Sequence, residues 1–257
     1  MRLLIDWTII IHVKIIIQEN TVKYGVYHKL YIISLKIATQ SNGKMANKTR
    51  SQEVINFQKQ QMSKAALEII VNDGYSSLSI RKLSKSLQVS PSTIYNYFKN
   101  RDEIYIYVLN RGFEMLFDEF KNAYDSHTNP IDKLKALCET FLSFSGRERD
   151  LTFIMLILDT PKYYDYVKTD YEAEMRVELK NALKCRDIIV QTITEIAEAN
   201  PLFPREDISY HTLSIITRMI GIATIKNNNL IEYITSGMEV ETEKLLKDII
   251  HPFEMYK

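Results

Sequence analysis

The sequence predicts an all-α protein in which an N-terminal helix-turn-helix head of three helices sits on a larger C-terminal helical body. Three observations carry that expectation. Gly and Pro are scarce, seven and six in 257 residues, and a β-rich chain needs many more tight turns. Apolar residues recur at three- and four-residue spacing through most of the chain after Arg50. Short polar breaks rich in Ser, Asn, Asp or Pro fall where helices need caps.

Residues 1–44 read differently. "LLIDWTIIIHVKIII" is a run of 15 residues interrupted by Asp6, His12 and Lys14. A membrane span needs roughly 20 apolar residues and tolerates a central charge poorly. The start holds one basic residue, Arg2, with Asp6 close behind and no small-residue cleavage site, unlike a secretory signal. We expect an extension outside the main fold. It is an over-long start before Met45, a weakly folded appendage or a membrane-surface element.

From Arg50 each element has a local reason. Met62, Ala65, Ala66, Ile69 and Ile70 share one helical face, with Lys64 and Glu68 opposite. "NDG" at 72–74 ends this helix, and Gly74 suits a left-handed C-terminal position. Ser79 caps a short helix whose Ile80, Leu83 and Leu87 point inward. Gln88 and Val89 turn the chain. Ser90 caps the next helix, and Pro91 takes its first position, where a missing N–H costs nothing. Ile94 faces inward and Phe98 closes the unit. Asn100 caps a fourth helix with acids in its first turn, as the helix dipole prefers. Helical stretches follow at 131–144, 148–158, 163–199, 206–226 and 230–250, broken at "HTNP", "SGRER", "DTP", "NPLFP" and "NNN".

Charge divides the chain. Residues 45–100 carry eight Lys/Arg against three acids, and residues 101–257 carry 19 against 27. A basic segment before an acidic body suggests that the first meets a polyanion. We therefore place a DNA-binding domain at 45–100 and a separate helical domain at 101–257.

The second helix of a helix-turn-helix presents its front edge to the major groove. Here Pro91, Ser92, Thr93, Tyr95, Asn96 and Tyr97 are expected outward around the Ile94 anchor. Small polar residues allow close approach to base edges, and Asn can bridge an adenine. Arg81 suits a guanine or a phosphate. Lys82, Lys85, Lys99 and Arg101 suit phosphates, which position without specifying. Ser79, Ser90 and the N–H groups at helix starts suit phosphate oxygens too.

At these residues the chain resembles the TetR/AcrR family of bacterial one-component regulators. The likeness rests on Gly74, Ser79, Leu83-Ser84, Val89-Ser90, Pro91, Tyr95, Tyr97-Phe98 and Arg101-Asp102, over residues 50 to 108. Three positions depart from the family pattern: Ser84 for the usual Ala, Gln88 for the usual turn Gly, and Arg101 for the commoner Lys. The resemblance implies that Arg101 contacts phosphate and that Tyr95, flanked by Thr93 and Tyr97, reads the groove. It also implies a helical C-terminal domain that dimerises through its last two long helices and encloses a small-molecule pocket.

In the body, "TFIMLILDTPKYYDY" reads either as helix core or as a ligand pocket lined by Phe153, Met155, Tyr163, Tyr164 or Tyr166. Residues 207–229 place Ile208, His211, Ile215, Ile216, Met219, Ile220 and Ala223 at helical spacing. Gly221 and Ala223 permit close helix approach, so this stripe is the expected dimer seam. Leu245, Leu246 and Ile249 face it from the last helix. The five histidines lack ligand spacing, and the two cysteines match no metal or redox motif. No cofactor, metal site or catalytic constellation is expected, and a reducing cytoplasm fits.

The reading is a ligand-responsive homodimeric repressor bound to a palindromic operator in double-stranded DNA, with an unknown effector. The alternative is a DNA-associated architectural or partner-binding protein that ignores small molecules.

Overall fold

The structure is a computed structural model that describes residues 52–236 and 241–256. The expectations for residues 1–44 lie outside the described residues. From Gln52 the described chain forms one compact unit, and no strand occurs among the described residues.

Helix α1, Gln52–Asp73, buries the expected face of Met62, Ala65, Ala66, Ile69 and Ile70. Gly74 follows with φ 82 and ψ 158. Its φ is positive as expected, but its ψ is extended, a combination open essentially to glycine alone. A 3-10 turn, Tyr75–Ser77, leads to α2, Ile80–Ser86. Ser79 caps α2 by accepting from the Lys82 N–H at 3.1 Å. Gln88 takes φ 54. Its N–H bonds the Lys85 carbonyl, and the Val89 N–H bonds that of Ser84, closing a Schellman motif. Ser90 caps α3, Pro91–Tyr95, with Pro91 in its first turn. Leu78, Leu83, Ile94 and Phe98 are at most 1% exposed and hold the small head together.

Asn100 ends the head and caps α4, Arg101–Asp125, accepting from the Glu103 N–H at 3.1 Å. Asn129 caps α5, Pro130–Arg147. Then come α6, Arg149–Leu156, a 3-10 turn at Tyr163–Tyr166, and α7, Glu172–Ala199. After a further 3-10 turn at Arg205–Asp207, α8 covers Ile208–Asn227, α9 Ile231–Ile234 and α10 Thr242–Glu254. Helix α4 packs on α7, α5 and α6; α5 meets α7, α8 and α10; α1 of the head lies against α4 and α6. Gly112 lets α6 approach α4, since a Cβ there would stand 2.5 Å from Met155 Sδ.

Two expected stretches are divided. Residues 163–199 do not form one helix. Val167 is extended and Lys168 takes φ 64. The Thr169 hydroxyl donates to the Tyr166 carbonyl at 2.7 Å, and the Glu172 carboxylate accepts from the Lys168 N–H at 2.7 Å. These local bonds compete with the helix ladder. Residues 230–250 divide because Ser236 takes φ 55 within the "SG" turn signal. The "NNN" break is a second Schellman end: Asn229 is left-handed, and the Leu230 N–H bonds the Ile225 carbonyl. Pro252, inside α10, cannot donate to the Asp248 carbonyl. Arg218 Nη1 donates to that oxygen instead, at 3.1 Å, tying α8 to α10.

The α8 stripe is a further correction. Ile215, Met219 and Ala223 point into their own subunit, at 2%, 2% and 1% exposure. The outward face carries exposed Tyr210 and Leu213 instead. Gly221 has no described atom within 4 Å of where a Cβ would stand. Cys138 and Cys185 are buried free thiols, each pushed up to about 12 chiefly by burial.

Glu178 is buried on α7 without a described hydrogen-bond partner. Burial pushes its carboxyl up to about 7, opposed by the Lys162 ammonium. Between the ordinary carboxylate range and about pH 7, the unfolded chain releases a proton that the folded chain keeps. Stability therefore falls as pH rises through that window. Glu178→Gln removes the titration. By urea unfolding, the variant should exceed wild type by on the order of 1–3 kcal/mol at pH 8, with the difference shrinking towards pH 5.

Candidate nucleic-acid interface

The candidate surface is built by two caps and one buried anchor. Ile94, fully buried, fixes α3 against the head core. That leaves Ser90, Pro91, Ser92, Tyr95 and Asn96 exposed, and Thr93 and Tyr97 half-buried. Tyr95 is 59% exposed, unusual for a large aromatic side chain in a small helical unit. The Ser90 hydroxyl lies 2.7 Å from Ser92 Oγ and 3.0 Å from Thr93 Oγ1, a cluster of three hydroxyls at the start of α3. Such groups both donate and accept, so they suit phosphate oxygens and base edges alike.

The cations divide into two kinds. Lys82 is held by Asp73 at 2.9 Å, so part of its charge is already answered. Arg81, Lys85 and Lys99 are exposed and pair with no carboxylate among the described residues. Ser79 is exposed at the start of α2, with its side chain engaged as a cap. Arg101 opens α4, with its guanidinium 5.1 Å from the centre of the Tyr75 ring. A cation over a π face is attracted by the ring quadrupole.

Behind Arg101 lies a polar node that sequence reasoning missed. The Tyr75 hydroxyl donates to Asp102 Oδ1 at 2.6 Å, and the Tyr166 hydroxyl donates to the same oxygen at 2.9 Å. The two hydroxyls are 3.1 Å apart. Burial, then the Asp102 carboxylate, pushes the Tyr75 phenol up to about 12. Burial and the same neighbours raise the Tyr166 phenol further, so both stay protonated donors. Asn100 Nδ2 donates to the Tyr171 hydroxyl. The Tyr105 hydroxyl, with its ring edge-on to Tyr75, donates to Thr160 Oγ1 and the Pro161 carbonyl, both at 2.8 Å. The one sequence signal was the density of tyrosines at 163–171, and it did not name their partners.

The five residues suggested for a ligand pocket are not brought into one cavity. Phe153 lines a recess of about 130 Å³ between α1, α6 and the end of α8, with Val71, Thr152 and Asn227. Met155 is buried against Gly112. Tyr163 stacks edge-on with Tyr164, which is 84% exposed, and Tyr166 belongs to the node. A shallow apolar groove of about 720 Å³ lies between α8 and α10, lined by Gly221, Ile222, Ile225, Leu245 and Ile249 among others. Among the described residues no group of side chains could hold a metal ion, and no helix is long and apolar enough to cross a membrane.

Residues 63–108, the segment holding both caps, the anchor and Arg101, match the family model for bacterial regulatory proteins of the tetR family. The chain carries a TetR-family DNA-binding head. The activator FasR of Mycolicibacterium smegmatis, an HTH-type transcriptional regulator, is 28% identical over 131 residues, 51% of this chain and 56% of that one. The chain spans about half the length of the curated relatives it matches. Two solved structures extend the likeness of fold to the body. FadR of Bacillus subtilis, in complex with stearoyl-CoA, superposes with TM-score 0.56 at 15% identity, covering 76% of this chain and 96% of that one. AibR, in complex with isovaleryl coenzyme A and operator DNA, gives TM-score 0.56 at 12% identity, covering 75% and 95%. The helical body thus shares its fold with both.

Gln88, standing where the TetR pattern prefers Gly, meets the expected strain: its φ of 54 costs a side-chain-bearing residue roughly 1–2 kcal/mol. Gln88→Gly removes that strain but frees the unfolded chain. Thermal unfolding should show a net gain of about 0.5–1 kcal/mol. A loss would mean that the Gln88 side chain holds the turn.

Proposed function

We propose that this TetR-family protein is a ligand-responsive repressor that binds a palindromic operator as a homodimer. The carrying observation is the matched head itself: a capped, anchored α3 with Tyr95 exposed, followed at once by Arg101. In this reading residues 45–100 form the DNA-binding domain and residues 101–257 the effector-binding and dimerisation domain. Ser92, Thr93, Tyr95, Asn96 and Tyr97 meet base edges and thymine methyls. Ser79, Arg81, Ser90, Pro91, Lys99 and Arg101 line the phosphates or flank them.

Two copies join along α8 and α10. The open groove with Gly221 at its floor supports this seam, as do Tyr210 and Leu213 on the same helix. The two α3 helices then enter successive major grooves about 34 Å apart. A small molecule held by the body shifts their separation and lowers affinity, a coupling between two distinct sites. The acyl-CoA complexes of FadR and AibR support a small-molecule effector for this body fold. The protein works in the cytoplasm, where its targets and its reduced cysteines belong.

Selection from a random duplex pool tests the reading, since recovery of no two-fold-symmetric sequence sinks it. Tyr95→Ala should reduce affinity for the selected duplex by about 1–3 kcal/mol while leaving random-sequence binding nearly unchanged. Arg101→Ala should weaken both and lower the salt slope of binding by about one. Gly221→Glu adds a side chain into open space in the subunit. It should leave the melting temperature intact yet yield monomers in sedimentation equilibrium.

A further inference from the structure

The segment between α6 and α7, residues 157–171, runs past the joint where the head becomes α4, and four of its residues make polar contacts there. Thr160 and Pro161 accept from the Tyr105 hydroxyl. Tyr166 donates to Asp102, and Tyr171 accepts from Asn100. Tyr166 is 6% exposed although its neighbours Asp165, Val167 and Lys168 are exposed. Burying a phenol needs a partner for its hydroxyl, and Asp102 supplies a charged one.

Asp102 also governs Arg101. Its Oδ2 stands 4.0 Å from Arg101 Nε, while its Oδ1 is held by Tyr75 and Tyr166. Tyr75 lies beneath the Arg101 guanidinium. The carboxylate beside Arg101 is therefore held by a hydroxyl from a segment some 65 residues further along the chain, and that hydroxyl also touches the hydroxyl of the Tyr75 ring. An arginine side chain has high rotamer freedom, and a pre-positioned one loses less on meeting its phosphate.

We propose that Tyr166 is a positioning residue for DNA binding: through Asp102 and Tyr75 it holds the Arg101 guanidinium in place for a backbone phosphate. The proposal rests on the reading of Arg101 as a phosphate contact. Tyr166 itself touches no DNA. It makes the strap between α6 and α7 the part of the body that sets the reach of the head's cation.

The test uses the full chain and a labelled random-sequence duplex, read by fluorescence anisotropy over a salt series. Tyr166→Phe keeps the ring and removes the hydroxyl, and circular dichroism checks that the variant folds. It should lower the slope of log affinity against log salt, by no more than the roughly one unit lost in Arg101→Ala. In the Arg101→Ala background, Tyr166→Phe should change the slope no further. Tyr171→Phe, which cuts the strap's bond to Asn100 instead, should leave the slope at the wild-type value. An unaltered slope for Tyr166→Phe overturns the proposal while leaving Arg101's role intact. So does an equal drop in both backgrounds, or a drop with Tyr171→Phe of the same size. If Arg101→Ala itself leaves the slope unchanged, the phosphate reading fails first and the proposal falls with it.

Discussion

Everything in this protein hangs on how α4 begins. Asn100 closes the head and caps a helix of 25 residues that crosses the body. One residue later comes Arg101, and one after that the carboxylate that two tyrosines grip. A helix is stiff along its axis, so any displacement of α4 by α5, α6 or α7 is delivered at its first turn. Head and body thus share a single element, with no flexible linker between them.

The polar contacts of that joint reinforce one another. A carboxylate bonded to two phenols is worth more than either bond alone, and a phenol left without it in a buried site carries a desolvation cost. At the far end of α4, Lys133 and Tyr124 meet Glu195 and fasten α4, α5 and α7.

The head was legible because its signals are local. Ser79, Ser90, Pro91 and Asn100 each act within three residues of themselves, so their roles follow from spacing alone. Gln88 could be marked as strained because it replaces the turn Gly usual in the family that the head resembles, and the turn does take a left-handed residue there. The start of α7 was not legible, because the helical period of 163–199 is interrupted by side-chain bonds from Thr169 and Glu172 that periodicity does not register. The node was hidden for a deeper reason: Tyr166 and Asp102 are 64 residues apart, and a single sequence cannot say which tyrosine meets which carboxylate. The α8 stripe misled because both faces are apolar. Ile215 and Met219 found the core, and the smaller Gly221 was left facing out.

The two thiols have a practical consequence. Cys138 is fully buried and Cys185 nearly so, and burial keeps each in its unreactive protonated form. Neither will compete for maleimide or nitroxide reagents in the folded state. A single cysteine introduced on the exposed surface of the head can therefore carry a spectroscopic probe in the otherwise unaltered chain, and distances between two such probes would report how far apart the heads stand in the proposed homodimer.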